Sequence, residues 1–283
     1  MRLVAFRAPG QKGIVVLRRE LEQAFSNLWL LLYSLTLGAL VALISYGGHA
    51  WLGEAAFQGL GRTTASLLNL ASLVVVLASL LMGTTSILGE RERGTLAAQL
   101  AQPIGRGEFL IGKFLGQALG LFMTTSLGIG VGGIAVSIVA PVDQVGFFVT
   151  VLALLGGLST AMLAVGYLVS VVVRDRVQAL LVAILLWFWW AIGMDLVTMG
   201  VMVAAHLGEA SLWGLLLLNP LEVARLLAVL GLEPDPYILG PLGSFLRDVA
   251  GLSQAWATLS AALCLWTVLP LLAALLLFQD QDV

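Results

Sequence analysis

The sequence has few charged residues, and this scarcity excludes a water-soluble fold. Only 11% of the 283 residues are charged, while 60% are hydrophobic and the mean hydropathy is +1.02. A soluble domain carries about 25% charged residues and somewhat under half apolar ones. So much apolar surface cannot be hidden inside a 29.9 kDa globule. We therefore expect an integral membrane protein.

Cysteine, proline and an excess of basic residues are also lacking. A single cysteine excludes a disulfide scaffold, and 8 prolines exclude a collagen-like chain. The net charge of −2 gives no basic field for nucleic acid, so we expect no nucleic-acid partner. The expected surrounding is membrane lipid.

Long uninterrupted apolar runs predict transmembrane helices. A helix needs roughly 20 apolar residues to cross about 30 Å of hydrocarbon. The runs are continuous and do not alternate as the strands of a β-barrel do, which favours an all-α protein. Six runs qualify as spans: 28–46, 67–88, 114–140, 147–173, 179–206 and 255–278.

The distribution of basic residues predicts the orientation of these spans. Six spans place both termini on one side of the membrane. Eleven of the fourteen lysines and arginines precede the first span or lie between spans two and three or spans four and five. By the positive-inside rule these segments are cytoplasmic. We expect one membrane domain over 1–283, with both termini cytoplasmic, an amphipathic segment at 1–27, an inner loop at 89–113 and an extracytoplasmic segment at 207–254.

The cytoplasmic charges fall into two groups. Residues 18–22, with the sequence RRELE, predict a short amphipathic helix on the membrane before the first span. In the inner loop, Glu92 and Arg93 with their neighbours predict the start of a short helix, which Pro103 and Gly105 would end. By themselves these charges also fit a solvated loop that contacts lipid headgroups.

Two glycine patterns resemble nucleotide-binding motifs, and both are rejected. Residues 107–113 spell most of a phosphate-binding loop, but Phe114 follows where Ser or Thr must ligate magnesium. Residues 128–133 match a dinucleotide fingerprint, but they lie inside span three, where no strand can precede them. We therefore expect this chain to bind no ATP and no cofactor of its own.

The glycines of span three instead predict close helix packing. Small residues recur every four positions and form one face of the helix: Gly112, Gly116, Gly120, Thr124, Gly128 and Gly132. Such a face lets another helix approach closely in lipid. A further hypothesis is that the face slides during a transport cycle.

The extracytoplasmic segment is longer than a simple link requires. Asn219 can cap a helix, Pro220 suits the first helical position, and Glu222 follows three residues after the cap. Gly231 then predicts the end of this helix. Its apolar face would lie on the outer membrane surface or on a partner protein. We take Asn219, Pro220, Glu222 and Arg225 as candidate docking residues for such a partner.

A few polar or sulfur-containing side chains lie deep in or beside the spans. Asp195 is the only acid deep in a predicted span, and it should face protein or water because its insertion into lipid is costly. The reading we favour is a structural hydrogen bond to a neighbouring helix, and the alternative is a role in transport. Met199, Met202 and His206 share one face and are soft ligands that suit Cu(I), although methionine in a membrane helix is usually packing.

The inner loop resembles a known family of membrane proteins. Residues 90–96 and 103–113 resemble the central cytoplasmic signature of ABC-2 type transporter permeases, and residues 17–21 are similar to the helix that precedes span one there. The resemblance covers the whole chain. It implies an ABC-2 (type V exporter-like) permease fold in the cell inner membrane, a homodimer, and a separate cytoplasmic ATPase dimer that binds ATP and Mg²⁺. The implied ATPase-coupling residues are Arg18, Arg19, Glu20, Glu90, Glu92, Arg93, Gly94, Thr95, Arg106 and Glu108.

A narrower resemblance concerns the function. Residues 187–196 and 215–220 are similar to the corresponding regions of the permeases that serve copper-site maturation of nitrous oxide reductase. This implies export, or transmission of force to a periplasmic partner. An ABC-2 permease of another export system, for drugs, lipids or polysaccharides, is the alternative. An intramembrane enzyme is a remote one, because the chain offers one deep acid and two histidines at span edges; we expect no catalytic residues.

Overall fold

The computed structural model describes residues 11–52, 60–101, 104–137, 145–205, 209–232, 243 and 251–281. Within these ranges the regular structure is helical. In chain order the helices are α1 (Gln11–Ser26), α2 (Leu28–Leu52), α3 (Leu60–Ser86), α4 (Leu88–Glu92), α5 (Thr95–Leu100), α6 (Arg106–Ser137), α7 (Val145–Val172), α8 (Arg176–Phe188), a π-helical turn (Trp189–Gly193), α9 (Met194–Ala205), α10 (Glu209–Leu217), α11 (Pro220–Leu232) and α12 (Leu252–Gln279).

Five helical stretches in the described residues are long and apolar enough to cross a membrane: Leu68–Glu92, Arg106–Ile134, Phe148–Val172, Arg176–Val201 and Leu252–Gln279. The first predicted span corresponds to α2, which qualifies only together with α1, and the two are bent by 60° at their junction. The bend follows from Asn27, whose side-chain Oδ1 accepts a hydrogen bond from the Trp29 backbone at 3.0 Å and so begins a new helix.

The glycine face of α6 packs against α1 and α2. A Cβ atom at Gly116 would lie 2.7 Å from the Glu20 Cβ, and one at Gly120 would lie 2.6 Å from the Ala24 Cβ. Further along, a Cβ at Gly132 would lie 2.6 Å from the Val41 Cβ. These distances leave no room for a side chain, so the prediction of close helix packing is confirmed. The helices that use the face are the amphipathic helix and the first span of the same chain.

A second close crossing joins α3 to α7. The Cβ that an alanine would add at Gly83 lies 2.8 Å from the Gly166 Cα, so the two backbones touch. Tyr167 follows and is fully buried, with its ring edge-on to Phe114 at a centroid distance of 5.4 Å. The crossing therefore places a buried tyrosine hydroxyl next to α6, near the C-terminal ends of α3 and α7.

Span five is interrupted by the π-helical turn. Trp187 Nε1 donates to the Leu73 carbonyl at 3.0 Å, and Trp190 is buried edge-on to Trp266 at 5.5 Å. Both tryptophans therefore pack against other helices of the chain. The carbonyl of Trp190 accepts a hydrogen bond from Asn219 Nδ2 at 3.0 Å, so a side chain occupies an acceptor at the π turn.

Helices α10 and α11 form a pair bent by 109°. The predicted start of α11 is confirmed, because Asn219 Oδ1 accepts from the Leu221 backbone at 3.1 Å and Pro220 is the first helical residue. The predicted apolar face was assigned to the outer surface or to a partner, and this is wrong. Leu221 and Leu227 are 1% and 2% exposed and pack against helices of the same chain.

The inner loop also differs from the prediction. Instead of one short helix that starts near Glu92, the chain forms α4 and α5 with a break at Gly94. Gly94 has a φ of +68°, in the left-handed region that favours glycine. A left-handed glycine turns the chain sharply. The break therefore lets α4 extend the line of α3 while α5 turns away.

Candidate functional site

The ATPase-coupling residues implied by the sequence divide into three groups by burial. Arg18, Arg19, Glu92, Arg93, Gly94 and Thr95 are exposed; Arg106 and Glu108 are half-buried; Glu20 and Glu90 are buried. A soluble partner can reach only the first two groups. The exposed coupling residues of the inner loop therefore lie at the turn between α4 and α5, and the buried ones have a different role.

That role is an ion-pair cluster around Lys113. The Lys113 ammonium lies 2.7 Å from Glu20 Oε1 and 2.9 Å from Glu90 Oε1, and the three side chains are 5%, 9% and 7% exposed. Glu20 comes from α1, Glu90 from α4 and Lys113 from α6. Removing one partner from a buried ion pair leaves an uncompensated charge, which is strongly unfavourable. The cluster thus ties the amphipathic helix, the inner loop and a span together.

Neutral side chains extend this cluster to α5 and α7. Gln117 Nε2 donates to Glu20 Oε2 at 2.8 Å and its Oε1 accepts from the Tyr167 hydroxyl at 3.0 Å. Gln99 Nε2 donates to Glu90 Oε1 at 3.2 Å. The second oxygen of Glu90, Oε2, is buried and accepts no hydrogen bond from any described residue. The cluster carries two negative charges and one positive charge.

Residues 279–281, at the end of α12, join the inner loop to α7. Gln281 accepts a hydrogen bond from Arg91 through Oε1 and donates from Nε2 to the Val171 carbonyl at 2.8 Å. Arg106 donates to the carbonyls of Gln279 and Gln281 at 2.8 and 2.7 Å. Residues 279–281 therefore hold α4, the start of α6 and the end of α7 at fixed relative positions.

The connection between α7 and α8 lies beside the inner loop. Asp175 caps α8 by accepting from the Gln178 backbone at 3.2 Å. The neighbouring Arg176 backbone N–H donates to Glu92 Oε1 at 3.2 Å. The span that contains the π turn begins with α8. A displacement of the α4–α5 turn would therefore also displace the start of that span or break this hydrogen bond.

Of the four candidate docking residues, two are buried and two are partly exposed. Asn219 is 1% exposed, Pro220 is buried, and Glu222 and Arg225 form an ion pair in which both side chains are about one-fifth exposed. Arg225 also donates to Asn69 Oδ1 on α3. Asn219 and Pro220 are therefore unavailable to a partner, because they close the α10–α11 bend against the π turn.

The other polar candidates occupy exposed or undescribed positions. Asp195 is exposed on α9, forms no hydrogen bond with a described residue, and lies close enough to Glu222 for the two charges to interact. Met199 is 66% exposed. The side chain of Met202 and the whole of His206 lie outside the described part of the chain, so the Cu(I) hypothesis stays a prediction.

Sequence reasoning missed the residues that hold the site together. From the sequence, Lys113 contributes only to the count of basic residues that predicts the orientation. Gln117, Tyr167 and Gln281 carry no prediction. One signal was present: Lys113 and Gln117 are polar residues one turn apart at the start of a long apolar helix, on the same side as Gly116 and Gly120. A polar pair on a packing face predicts a buried polar partner, which the RRELE stretch could have supplied.

Comparisons with known proteins identify the family of this chain. The family described as ABC-2 family transporter protein matches residues 14–283. The chain is 31% identical over 274 residues to the probable ABC transporter permease protein NosY of Pseudomonas aeruginosa, covering 95% of this chain and 98% of that protein. It is 32% identical over 275 residues to the probable ABC transporter permease protein NosY of Stutzerimonas stutzeri, covering 94% and 97%. The chain therefore belongs to the ABC-2 transporter family, as a multi-pass membrane permease of the kind found in the bacterial inner membrane.

Proposed function

We propose that this permease has six spans with both termini cytoplasmic, forms a homodimer, and is driven by two copies of a separate cytoplasmic ATPase that bind ATP and Mg²⁺. The sixth span in this proposal is α2, and the bent pair α10–α11 enters the membrane from the outer side. The count of basic residues supports the orientation. The family supports the ATPase partner and the dimer.

The main support for the proposal is the way in which the α4–α5 turn is connected to the spans. Its exposed residues, Glu92, Arg93 and Thr95, sit on a segment that continues directly into α3 and returns directly into α6. The buried Lys113 cluster prevents the turn from moving independently of α1 and α6. A push on the turn is therefore delivered to three helices together, and ATP would shift the permease between two states because each nucleotide state binds one of them better.

A charge reversal tests this coupling surface. The variant Glu92→Lys with Arg93→Glu keeps the turn soluble and leaves the Lys113 cluster untouched. We expect it to insert normally, to lose at least half of the ATPase recovered in a pull-down, and to stimulate ATP hydrolysis less in the reconstituted complex. Asp280→Lys is the matched control, because it reverses an exposed charge in the C-terminal residues and not in the turn.

Two outcomes decide the position of the interface. If the doubly reversed protein recovers and stimulates its ATPase like the parent, Glu92 and Arg93 lie outside the contact. A reversal of Arg18 and Arg19, both exposed on α1, would then be expected to weaken the association. If neither reversal changes binding, the proposed cytoplasmic surface is wrong.

We further propose that the permease serves copper-site maturation of nitrous oxide reductase, by export or by force transmission to a periplasmic partner. The name NosY of the two relatives and the resemblance of residues 187–196 and 215–220 support this assignment. Because Asn219 and Pro220 are buried, we place the docking of a periplasmic protein on the remaining part of 207–254. Cells that lack this chain should make reductase without its copper site. Normal reductase in such cells would favour another export system, for drugs, lipids or polysaccharides.

A further inference from the structure

A cavity of about 360 Å³ opens beside the Lys113 cluster. It is enclosed by the end of α1, the start of α2, the α3–α4 junction, α6 and the start of α8. Its charged lining residues are Glu20, Glu90, Glu92, Arg93, Lys113 and Arg176. Glu92 and Arg93 also belong to the proposed ATPase contact, but no ligand is assigned there to the space itself. The inference below does not depend on what the permease transports.

The inner wall of the cavity is negative. Glu20 and Glu90 share the single ammonium of Lys113, so this end carries one uncompensated negative charge. Glu90 Oε2 is buried and accepts no hydrogen bond from the described residues, although a buried carboxylate oxygen without a donor is costly. A cationic hydrogen-bond donor placed in the cavity would satisfy both the charge and the orphaned oxygen.

The mouth of the cavity is positive. Arg93 and Arg176 are exposed, and neither guanidinium forms an ion pair within the described ranges. The one acid at the mouth, Glu92, already accepts from the Arg176 backbone N–H. The mouth therefore has two guanidinium groups and one carboxylate, which already accepts a hydrogen bond. The two guanidinium groups can bind an anion with several oxygen atoms, such as a phosphodiester.

The start of α2 forms a further wall of the cavity. Trp29 and Leu30, at the start of α2, line the cavity, and Trp29 is 80% exposed. Tryptophan at the end of a span is typical of the membrane–water interface. With α2 as the first span, as proposed above, Trp29 places the cavity at headgroup depth, and acyl chains would leave it beside α2.

We propose that this cavity binds the headgroup of an aminophospholipid, with its primary ammonium donating to Glu90 Oε2 and its phosphodiester bound by Arg93 and Arg176. The group recognised is phosphoethanolamine, which occurs both as a lipid headgroup and as a soluble compound. A choline headgroup has no N–H to donate to Glu90. A headgroup that carries only negative charge would meet the two carboxylates of the inner wall.

Native mass spectrometry of the full-length chain in detergent tests the site with three lipids: phosphatidylethanolamine, phosphatidylcholine and phosphatidylglycerol. We expect roughly tenfold tighter binding of phosphatidylethanolamine than of the other two, as one charge-assisted hydrogen bond gives. Glu90→Gln should bind the three lipids almost equally. Glu22→Gln, an exposed glutamate on the same surface that does not line the cavity, should keep it.

The two arginines give a second test that does not alter the buried cluster. Both are exposed, so Arg93→Gln with Arg176→Gln should fold, and it should weaken phosphatidylethanolamine and phosphatidylcholine by a similar factor of roughly ten because both lose the phosphodiester contact. This variant keeps the proposal testable if Glu90→Gln does not fold. Unchanged lipid binding by it would overturn the proposal.

Soluble phosphoethanolamine distinguishes the sources of this chemistry. Weak displacement of bound lipid by the soluble compound supports a lipid ligand, since the acyl chains then contribute to binding. Binding of the soluble compound as tightly as the lipid would overturn the lipid source. Equal affinity for the ethanolamine and choline lipids in the parent protein would overturn the headgroup assignment.

Discussion

Lys113 is the residue whose replacement tests the structural argument most directly. It is 5% exposed and holds Glu20 and Glu90 at 2.7 and 2.9 Å. In Lys113→Met both carboxylates remain buried and lose their cation. Breaking a buried ion pair from one side costs about 3–5 kcal/mol. A domain of this size loses about 2–4 °C in Tm per kcal/mol, so Tm should fall by about 6–20 °C.

The measurement is tryptophan fluorescence of the detergent-solubilised protein during heating. Arg18→Met is the matched control: it removes a cation that pairs with Glu22 on the surface, where its side chain is 80% exposed. An exposed pair of this kind contributes about 0–1 kcal/mol, so Tm should fall by no more than about 4 °C.

A triple variant separates the cost of unpaired charge from loss of packing. Lys113→Met with Glu20→Gln and Glu90→Gln removes all three charges, so no uncompensated charge stays buried. We expect its Tm to return to within about 4 °C of the parent. A triple variant as unstable as the single one, or a Lys113→Met variant with parental Tm, would refute the reasoning.

Three further predictions follow from the same contacts. Gly116→Val should detach α1 from α6 and lower Tm by several degrees, whereas Gly130→Val, where an added Cβ meets nothing within 4 Å, should not; equal Tm values for the two would contradict the packing assigned to the glycine face. Gln281→Ala should release α4, which hydrogen–deuterium exchange would detect as faster exchange in 88–101, and unchanged exchange there would show that the C-terminal residues do not hold the loop. Asp195→Asn should assemble and function like the parent, because Asp195 is exposed and forms no hydrogen bond with a described residue; a well-assembled but inactive protein would show that its charge takes part in transport.

Several features of the fold follow from sequence alone because they depend on composition and local chemistry. The apolar runs require a membrane, the distribution of lysine and arginine predicts the orientation, and the four-residue glycine repeat predicts a packing face whose close contacts the structure confirms. Asn219 and Pro220 predict the start of α11 because capping involves only neighbouring residues. The resemblance of the inner loop to ABC-2 permeases agrees with the family match.

Other features were decided only by the tertiary structure, because they depend on which helices meet. Glu20, Glu90 and Lys113 are far apart in sequence, and from the sequence their charges fit a solvated loop. In the structure α1, α4 and α6 converge and exclude water from them. The apolar face of α11 has the same pattern whether it meets lipid, a partner or its own chain, and only the 109° bend at Asn219 directs it inward. Burial of a charge is a property of the surrounding helices, and periodicity along one helix cannot report it.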